Sequence, residues 1–220
     1  LRLGPPPWAS GETTGYQITD VNGQSAGTAR YEITQGDSQT NPAGWSIRRE
    51  IMAQGVNETI AVELNKGLQP LRSVLTRTQQ AQGGREVVEA TYNGGQVDMV
   101  LTTAQDVTTN QRINIPSDSS NGDVLIQLLR TLPLQKGYAT RINVFWPIAG
   151  QLETYVVNVA DTEQVNVPAG AYDTFKVELT GRGNKTTAWL NQAAPHQVVK
   201  YIDGRNSGTF ELTDFTPGDS

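Results

Sequence analysis

Val165-Asn-Val-Pro-Ala-Gly-Ala-Tyr-Asp-Thr-Phe-Lys-Val-Glu-Leu179 carries the reading of the fold. Two runs rich in Val, Thr, Tyr and Phe flank Pro168-Ala169-Gly170. Proline cannot continue a central strand and glycine admits the backbone of a turn, so the stretch reads as strand, tight turn, strand. The same grammar continues through Thr186-Thr-Ala-Trp-Leu190, an Ala194-Pro-His196 turn, and Val198-Val-Lys-Tyr-Ile202. Short β runs joined by such turns make an antiparallel sheet.

Working outward, Asn22-Gly23, Gly83-Gly84, Asn93-Gly94 and Asp203-Gly204 each sit between β-prone runs. Such dipeptides take the positive φ of two-residue hairpins. Strands are predicted near 14–20, 25–35, 45–53, 57–65, 70–80, 85–92, 96–103 and 107–115. The second series falls near 138–146, 152–160, 163–167, 172–180, 185–191, 197–203 and 208–215. Early strands such as Arg85–Tyr92 and Gln96–Thr103 have one greasier face, as in a sheet wet on one side. Asn143–Trp146, Tyr155–Val157 and Val198–Ile202 carry bulky apolar groups on both faces, so a second layer must cover them.

One segment departs from the β pattern. Asp123-Val-Leu-Ile-Gln-Leu-Leu-Arg-Thr-Leu132 places Val124, Leu125, Leu128, Leu129 and Leu132 on one helical face, with Asp123 at its start and Pro133 ending it. A stripe this apolar must pack on a sheet. The expected fold is all-β: a curved antiparallel sheet or half-open barrel with one helix, 123–132, on the concave side. A two-sheet sandwich is the alternative. Residues 1–12, with Pro5-Pro-Pro7, read as a linker, and 13–216 as a single β-domain. Short echoes, Ala26–Thr34 with Ala169–Thr180 and Thr59–Val62 with Thr186–Trp189, suggest two pseudo-repeats, 13–116 and 138–216, joined by the helix.

Val167–Leu179, Ala188-Trp-Leu190 and Ala194-Pro-His196 resemble the C-terminal part of a bacterial family of unknown function, DUF3108. Gly15–Glu32 is similar to that family's opening hairpin, and the helix with Leu132-Pro-Leu134 also fits. The resemblance implies an exported β-domain of envelope type, broadly similar to half-open barrels that carry lipoproteins or lipids. It implies no catalytic residue.

Composition narrows the functional classes. There is no Cys, which excludes disulfides, thiol catalysis and thiolate metal sites. Charged residues form 18% of the chain, below the roughly 25% usual for soluble domains. Thr (25), Gln (18) and Asn (14) replace them, as in an extracytoplasmic β-protein. Net charge is −5 and no basic block exceeds Arg48-Arg49, so the clustered cations a nucleic-acid partner needs are missing. No apolar run reaches the roughly 18 residues of a membrane span. An export signal or lipid anchor upstream of Leu1 is the expectation, with the protein in the periplasm or at the cell surface.

Chemical motifs are few. His196 is the single histidine and lies in a turn, where a ring caps backbone groups more readily than it builds a triad. Asp161 with Glu163, and Glu86 with Glu89, are acid pairs of the kind a glycosidase needs, but they read as surface residues. Gly181–Thr186 lacks the Gly-Lys order and following helix of a phosphate loop. Asp118 and Asp123 read as helix capping. The strongest site candidates are Phe145, Trp146, Trp189 and Tyr201, with Arg141 and Lys200 nearby, since ligand cavities are mostly apolar with a few placed polar groups. The expected function is a non-enzymatic envelope protein holding a lipid or other hydrophobic ligand, with no cofactor and no metal. A surface assembly module that meets an envelope protein partner is the alternative, and a carboxylate-dependent hydrolase of envelope polymers comes third.

Overall fold

The computed structural model describes residues 3–36, 44–79, 83–205 and 208–219. Residues 1–2 of the expected linker and Gln80 of the fifth predicted strand lie outside them. Eight strands form the first arm: β1 Glu12–Thr19, β2 Ser25–Gln35, β3 Trp45–Ala53, β4 Val56–Leu64, β5 Pro70–Gln79, β6 Arg85–Tyr92, β7 Gln96–Thr102 and β8 Thr108–Asn114. A two-residue β9, Ser120–Asn121, follows. The helical segment runs from Gly122 to Thr131, with a single α-turn, α1 Leu125–Leu128, between two 3₁₀ turns. The second arm is β10 Ala139–Trp146, β11 Gln151–Val167, β12 Gly170–Thr180, β13 Lys185–Asn191, β14 Val198–Ile202 and β15 Thr209–Thr216.

All fifteen strands belong to one sheet, ordered β8 to β1, then β15 down to β9. Each arm is a meander of sequential neighbours. They meet where the first and last strands pair, from Thr13 opposite Thr216 to Thr19 opposite Thr209. The sheet curls but does not close, since β8 and β9 are its edges. One continuous sheet replaces the two-sheet alternative. Every pairing is antiparallel except the short β9–β10 contact.

The inner face follows the period-2 alternation of the sequence. Ile47, Ile60, Val62, Val88, Val157, Val177 and Leu179 are each at most 1% exposed and join one core cluster. Tyr16 stands over Tyr31 and over Tyr201, ring centroids 5.8 Å apart in both pairs, and its hydroxyl donates to the Val198 carbonyl at 2.9 Å.

Four expectations need correction. The predicted break at 160–163 is absent: β11 is one 17-residue strand, and a bulge between Val159 and Asp161 absorbs the irregularity. The helix is a single α-turn with 3₁₀ flanks, because Pro133 and the extended Leu132 leave it no room to propagate. All five Leu and Val of the stripe are buried, but so are Gln127, Arg130 and Thr131, so the segment is embedded and does not lie on a surface. Tyr155–Val157 is not two-faced: Tyr155 and Val157 are buried while Val156 is 44% exposed.

Residues 3–12 are also not a free linker. Trp8 is buried and meets Trp45 edge-on at 6.1 Å, and the Gly4 amide donates to the Thr131 carbonyl. The sequence echoes match β2 with β12 and β4 with β13, and β3, which lies between β2 and β4, has no counterpart between β12 and β13.

Candidate functional site

A cavity of about 380 Å³ lies between the curved sheet and the helical segment. Ile51, Val56, Leu75, Ile126, Ile148 and Phe210 give it apolar walls. Tyr31 and Tyr201 also line it, their hydroxyls 3.3 Å apart, with Tyr201 stacked on Phe210 at 4.2 Å. Burial first, and then the neighbouring Tyr31, push the Tyr201 phenol well above its ordinary range, so it stays neutral. Burial and its bond to Glu153 push Tyr155, another lining residue, up to about 12.

Charge enters this apolar space as one linked group. Glu58 on β4 accepts from Arg49 of β3 at 2.9 Å and from Arg77 of β5 at 2.5 Å, so both carboxylate oxygens are held. Arg49 also reaches the Asp123 carboxylate at 3.8 Å and its carbonyl at 3.3 Å. These side chains share the cavity because each lies in the inward register of its strand: Arg49 alternates with Ile47 and Ile51, Glu58 with Ile60, Arg77 with Leu75. Burial works against the Arg49 charge, but Tyr31, Asp123 and Glu58 outweigh it and drive its pKa further up. The Asp123 pKa also rises, which for an acid disfavours the charge: burial raises it, Arg49 opposes, and the Glu58 charge adds to the rise.

Asp123 is held by the polypeptide start of the helical segment. The Asn121 side chain caps that start by accepting from the Asp123 amide at 2.8 Å, and donates to the Tyr92 hydroxyl at 2.8 Å. The cap is therefore Asn121, not the expected Asp118–Asp123 pair; Asp118 instead accepts from Asn143.

Of the four residues singled out from sequence, Trp146 and Tyr201 line the cavity. Trp146 packs on Tyr155 at 6.5 Å, sits under the Arg205 guanidinium at 4.2 Å and covers Gly122, where a Cβ would lie 2.4 Å from the indole. Phe145, its strand neighbour, points away to the opposite side and meets Tyr92 at 6.3 Å in the solid core. Trp189 lies elsewhere too. Its indole N–H donates to Glu163, with Lys176 and Lys200 over the ring at 5.6 and 5.9 Å. Lys200 is thus part of the Trp189 cluster, paired with Glu211 at 2.8 Å, and Arg141 is an exposed position of β10.

The surface acids are engaged in ion pairs: Asp161 with Lys136, Glu86 with Arg77, Glu89 with Arg72. Glu163 serves Trp189 and Lys176. His196 holds the Asn191 carbonyl at 3.0 Å and packs on Phe175. Among the described residues, no group of three or more His, Asp or Glu side chains is placed to hold a metal ion.

Sequence reasoning missed Arg49, Glu58, Arg77 and Asp123. The signal was present: a charge at an inward position of an alternating strand, in Ile47-Arg-Arg49-Glu-Ile51 and Glu58-Thr-Ile60-Ala-Val62. What the sequence did not show was that three adjacent strands bring these charges side by side.

The sequence matches the family described as "Protein of unknown function (DUF3108)" over residues 15–213. The chain belongs to the DUF3108 family. No curated protein matches it. Among solved structures, a β-barrel-like protein of domain of unknown function DUF1849 from Brucella abortus superimposes with TM-score 0.61 at 10% identity, covering 97% of this chain and 100% of that one. That likeness concerns the fold alone. A candidate lipoprotein from Parabacteroides distasonis aligns with TM-score 0.36 at 13% identity over 97% and 99% of the two chains. A candidate exported protein with YmcC-like fold from Bacteroides fragilis gives 0.35 at 12% over 98% and 100%. Both fall too low to carry an argument. No helix among the described residues is long and apolar enough to cross a membrane.

Proposed function

We propose that this DUF3108 protein is a non-catalytic, extracytoplasmic binding protein that holds a small amphipathic molecule inside its curved sheet. The cavity itself carries the reading. A closely packed interior normally leaves few voids larger than a water molecule, whereas this one keeps about 380 Å³ open beside a buried charge group. That volume sits at the low end of the roughly 300–1,000 Å³ range of ligand pockets. It suits one alkyl chain or ring system, not a whole diacyl lipid.

The wall chemistry fits such a guest. Ile51, Leu75, Ile126 and Phe210 would take its apolar body, and Arg77 and Arg205, both part-exposed in the cavity, its polar or acidic end. Glu58 has both oxygens occupied by guanidinium groups, which favours a binding role over acid–base chemistry.

The test is direct. Native mass spectrometry of gently purified protein should reveal a co-purifying amphiphile. In solution the protein should bind anilinonaphthalene sulfonate, an anionic apolar probe. Replacing Ile126 with Trp fills the cavity from the helical segment and should weaken probe binding about tenfold, a loss near 1.4 kcal/mol. Unchanged binding by a folded Ile126→Trp protein would rule the cavity out as the binding site.

A further inference from the structure

Arg205 differs from the other guanidinium groups of the cavity wall. Arg49 and Arg77 spend donors on Glu58, whereas the Arg205 guanidinium makes no hydrogen bond among the described residues. It sits 4.2 Å over the Trp146 ring, and its ion-pair partner, Glu153, is 3.9 Å away. That separation gives an ion pair without a hydrogen bond. The same Glu153 oxygen already accepts from the Tyr155 hydroxyl. Contact with the indole thus holds the guanidinium in place while its N–H groups stay unspent. Arg77 adds a further open donor, since its Nη1 meets Glu86 only at 3.8 Å.

Both groups stand at one end of the sheet. Arg77 is two residues from the end of β5, and Arg205 is in the turn after β14. The register joins these ends. Gln79 lies opposite Val56, Ala53 opposite both Val56 and Gly27, and Gly27 opposite Ile18. Thr209 lies opposite both Thr19 and Ile202. Asp123 feels the positive charge of Arg49, Arg205 and Arg77 together, so the three surround one carboxylate.

Depth decides which sign of charge a guest meets. The Arg205 and Arg77 side chains are 28% and 30% exposed, against 15%, 10% and 5% for Glu153, Glu58 and Asp123. The acids therefore lie behind the guanidinium groups. Asp203, another lining acid, turns back to accept the Arg205 backbone amide at 2.9 Å. Along β5 the lining side chains change from exposed Gln79 through half-buried Arg77 to buried Leu75. A guest that follows this gradient keeps its polar head at the arginines and its apolar body inside.

Free N–H groups on a planar fork match the two oxygens of a carboxylate. A second negative charge would add repulsion from Glu58, Asp123 and Asp203, which disfavours a phosphate monoester. We infer that the guest is an amphiphile with one carboxylate and one apolar chain, and that Arg205 is the residue that selects it. Given the binding role proposed above, the carboxylate takes the unspent donors of Arg205 and Arg77, and the chain lies against Leu75, Ile126 and Phe210.

The experiment is displacement of a neutral apolar dye, N-phenylnaphthylamine, from the full chain at neutral pH, where an ordinary carboxylate is ionised. Decanoate should displace the dye at about tenfold lower concentration than decanol, which has the same chain and no charge. Decylammonium and decyl phosphate should both do worse than decanoate. Arg205→Gln should bring decanoate level with decanol, and Arg205→Lys, which keeps the charge but not the fork, should retain only part of the advantage. Arg141→Gln removes the same charge from an exposed position of β10 and should leave the preference intact.

Equal displacement by decanoate and decanol, or an advantage that survives Arg205→Gln, overturns the assignment, while dye binding still supports a cavity that takes apolar guests. Better displacement by decyl phosphate overturns the single carboxylate. A wild-type protein that does not bind the dye removes the binding role and this assignment with it. The wild-type comparison needs no substitution, so it decides the matter even where Arg205→Gln fails to fold.

Discussion

Asp123 shows how one side chain can be placed against its own preference. Its carboxylate is buried within reach of the Glu58 charge, and Arg49 offsets only part of the cost. With the folded pKa raised, the folded protein holds a proton at pH values where the unfolded chain has lost it. The burden on stability is therefore full above the raised pKa, shrinks as pH falls through it, and vanishes below the ordinary value of 3.8. Asp123→Asn should stabilise the protein at neutral pH, and urea titrations of the two proteins should converge as the pH approaches 4. A difference independent of pH would mean that Asp123 acts through its hydrogen bonds and not its charge. Its inward position could not be foreseen, because the sequence assigns it only to the start of a helix.

At the scale of elements, the helical segment is held by more than its leucines. Arg130, fully buried, grips both carboxylate oxygens of Glu12 at 2.6 and 3.0 Å, the first residue of β1. It also donates to Gln127 and to the Pro195 carbonyl in the β13–β14 turn, and lies 5.3 Å from the Trp8 ring. One guanidinium thus ties segment 3–12, the helical segment and the second arm together. Removing one partner leaves a buried charge uncompensated, which costs about 3–5 kcal/mol. Glu12→Ala should show that loss in chemical denaturation, and a change under 1 kcal/mol would mean that water replaces the carboxylate. The apolar stripe of 123–132 was legible from its spacing. The clasp was not, because Glu12 and Arg130 are 118 positions apart and nothing local links them.

The whole molecule is two meanders joined by the pairing of its first and last strands. Every other antiparallel contact is between strands adjacent in sequence; β1 with β15 spans nearly the entire chain. Such distant pairing slows folding through the entropy of loop closure. A circular permutant, with a flexible Gly/Ser linker joining the present ends and new ends between Pro116 and Ser117, turns the sheet into one sequential meander. It should refold faster than the natural order in stopped-flow measurements while keeping its equilibrium stability within about 1 kcal/mol. Equal or slower refolding would show that β1–β15 closure does not limit the rate.

At this scale the division between what was readable and what was not becomes plain. Strand positions, hairpin turns, the all-β class and the apolar stripe follow from Gly, Pro and Asn punctuation and from period-2 alternation, both local properties of the chain. Trp146 and Tyr201 could be singled out because aromatic size is visible in any sequence. Tertiary structure alone decided that Phe145 and Trp189 face away from the cavity, that residues 3–12 pack inward, and that Arg49, Glu58, Arg77 and Asp123 meet. Each of those outcomes depends on how far the sheet curls and which distant strands it brings together, and curvature is a sum of many small twists that no single residue encodes.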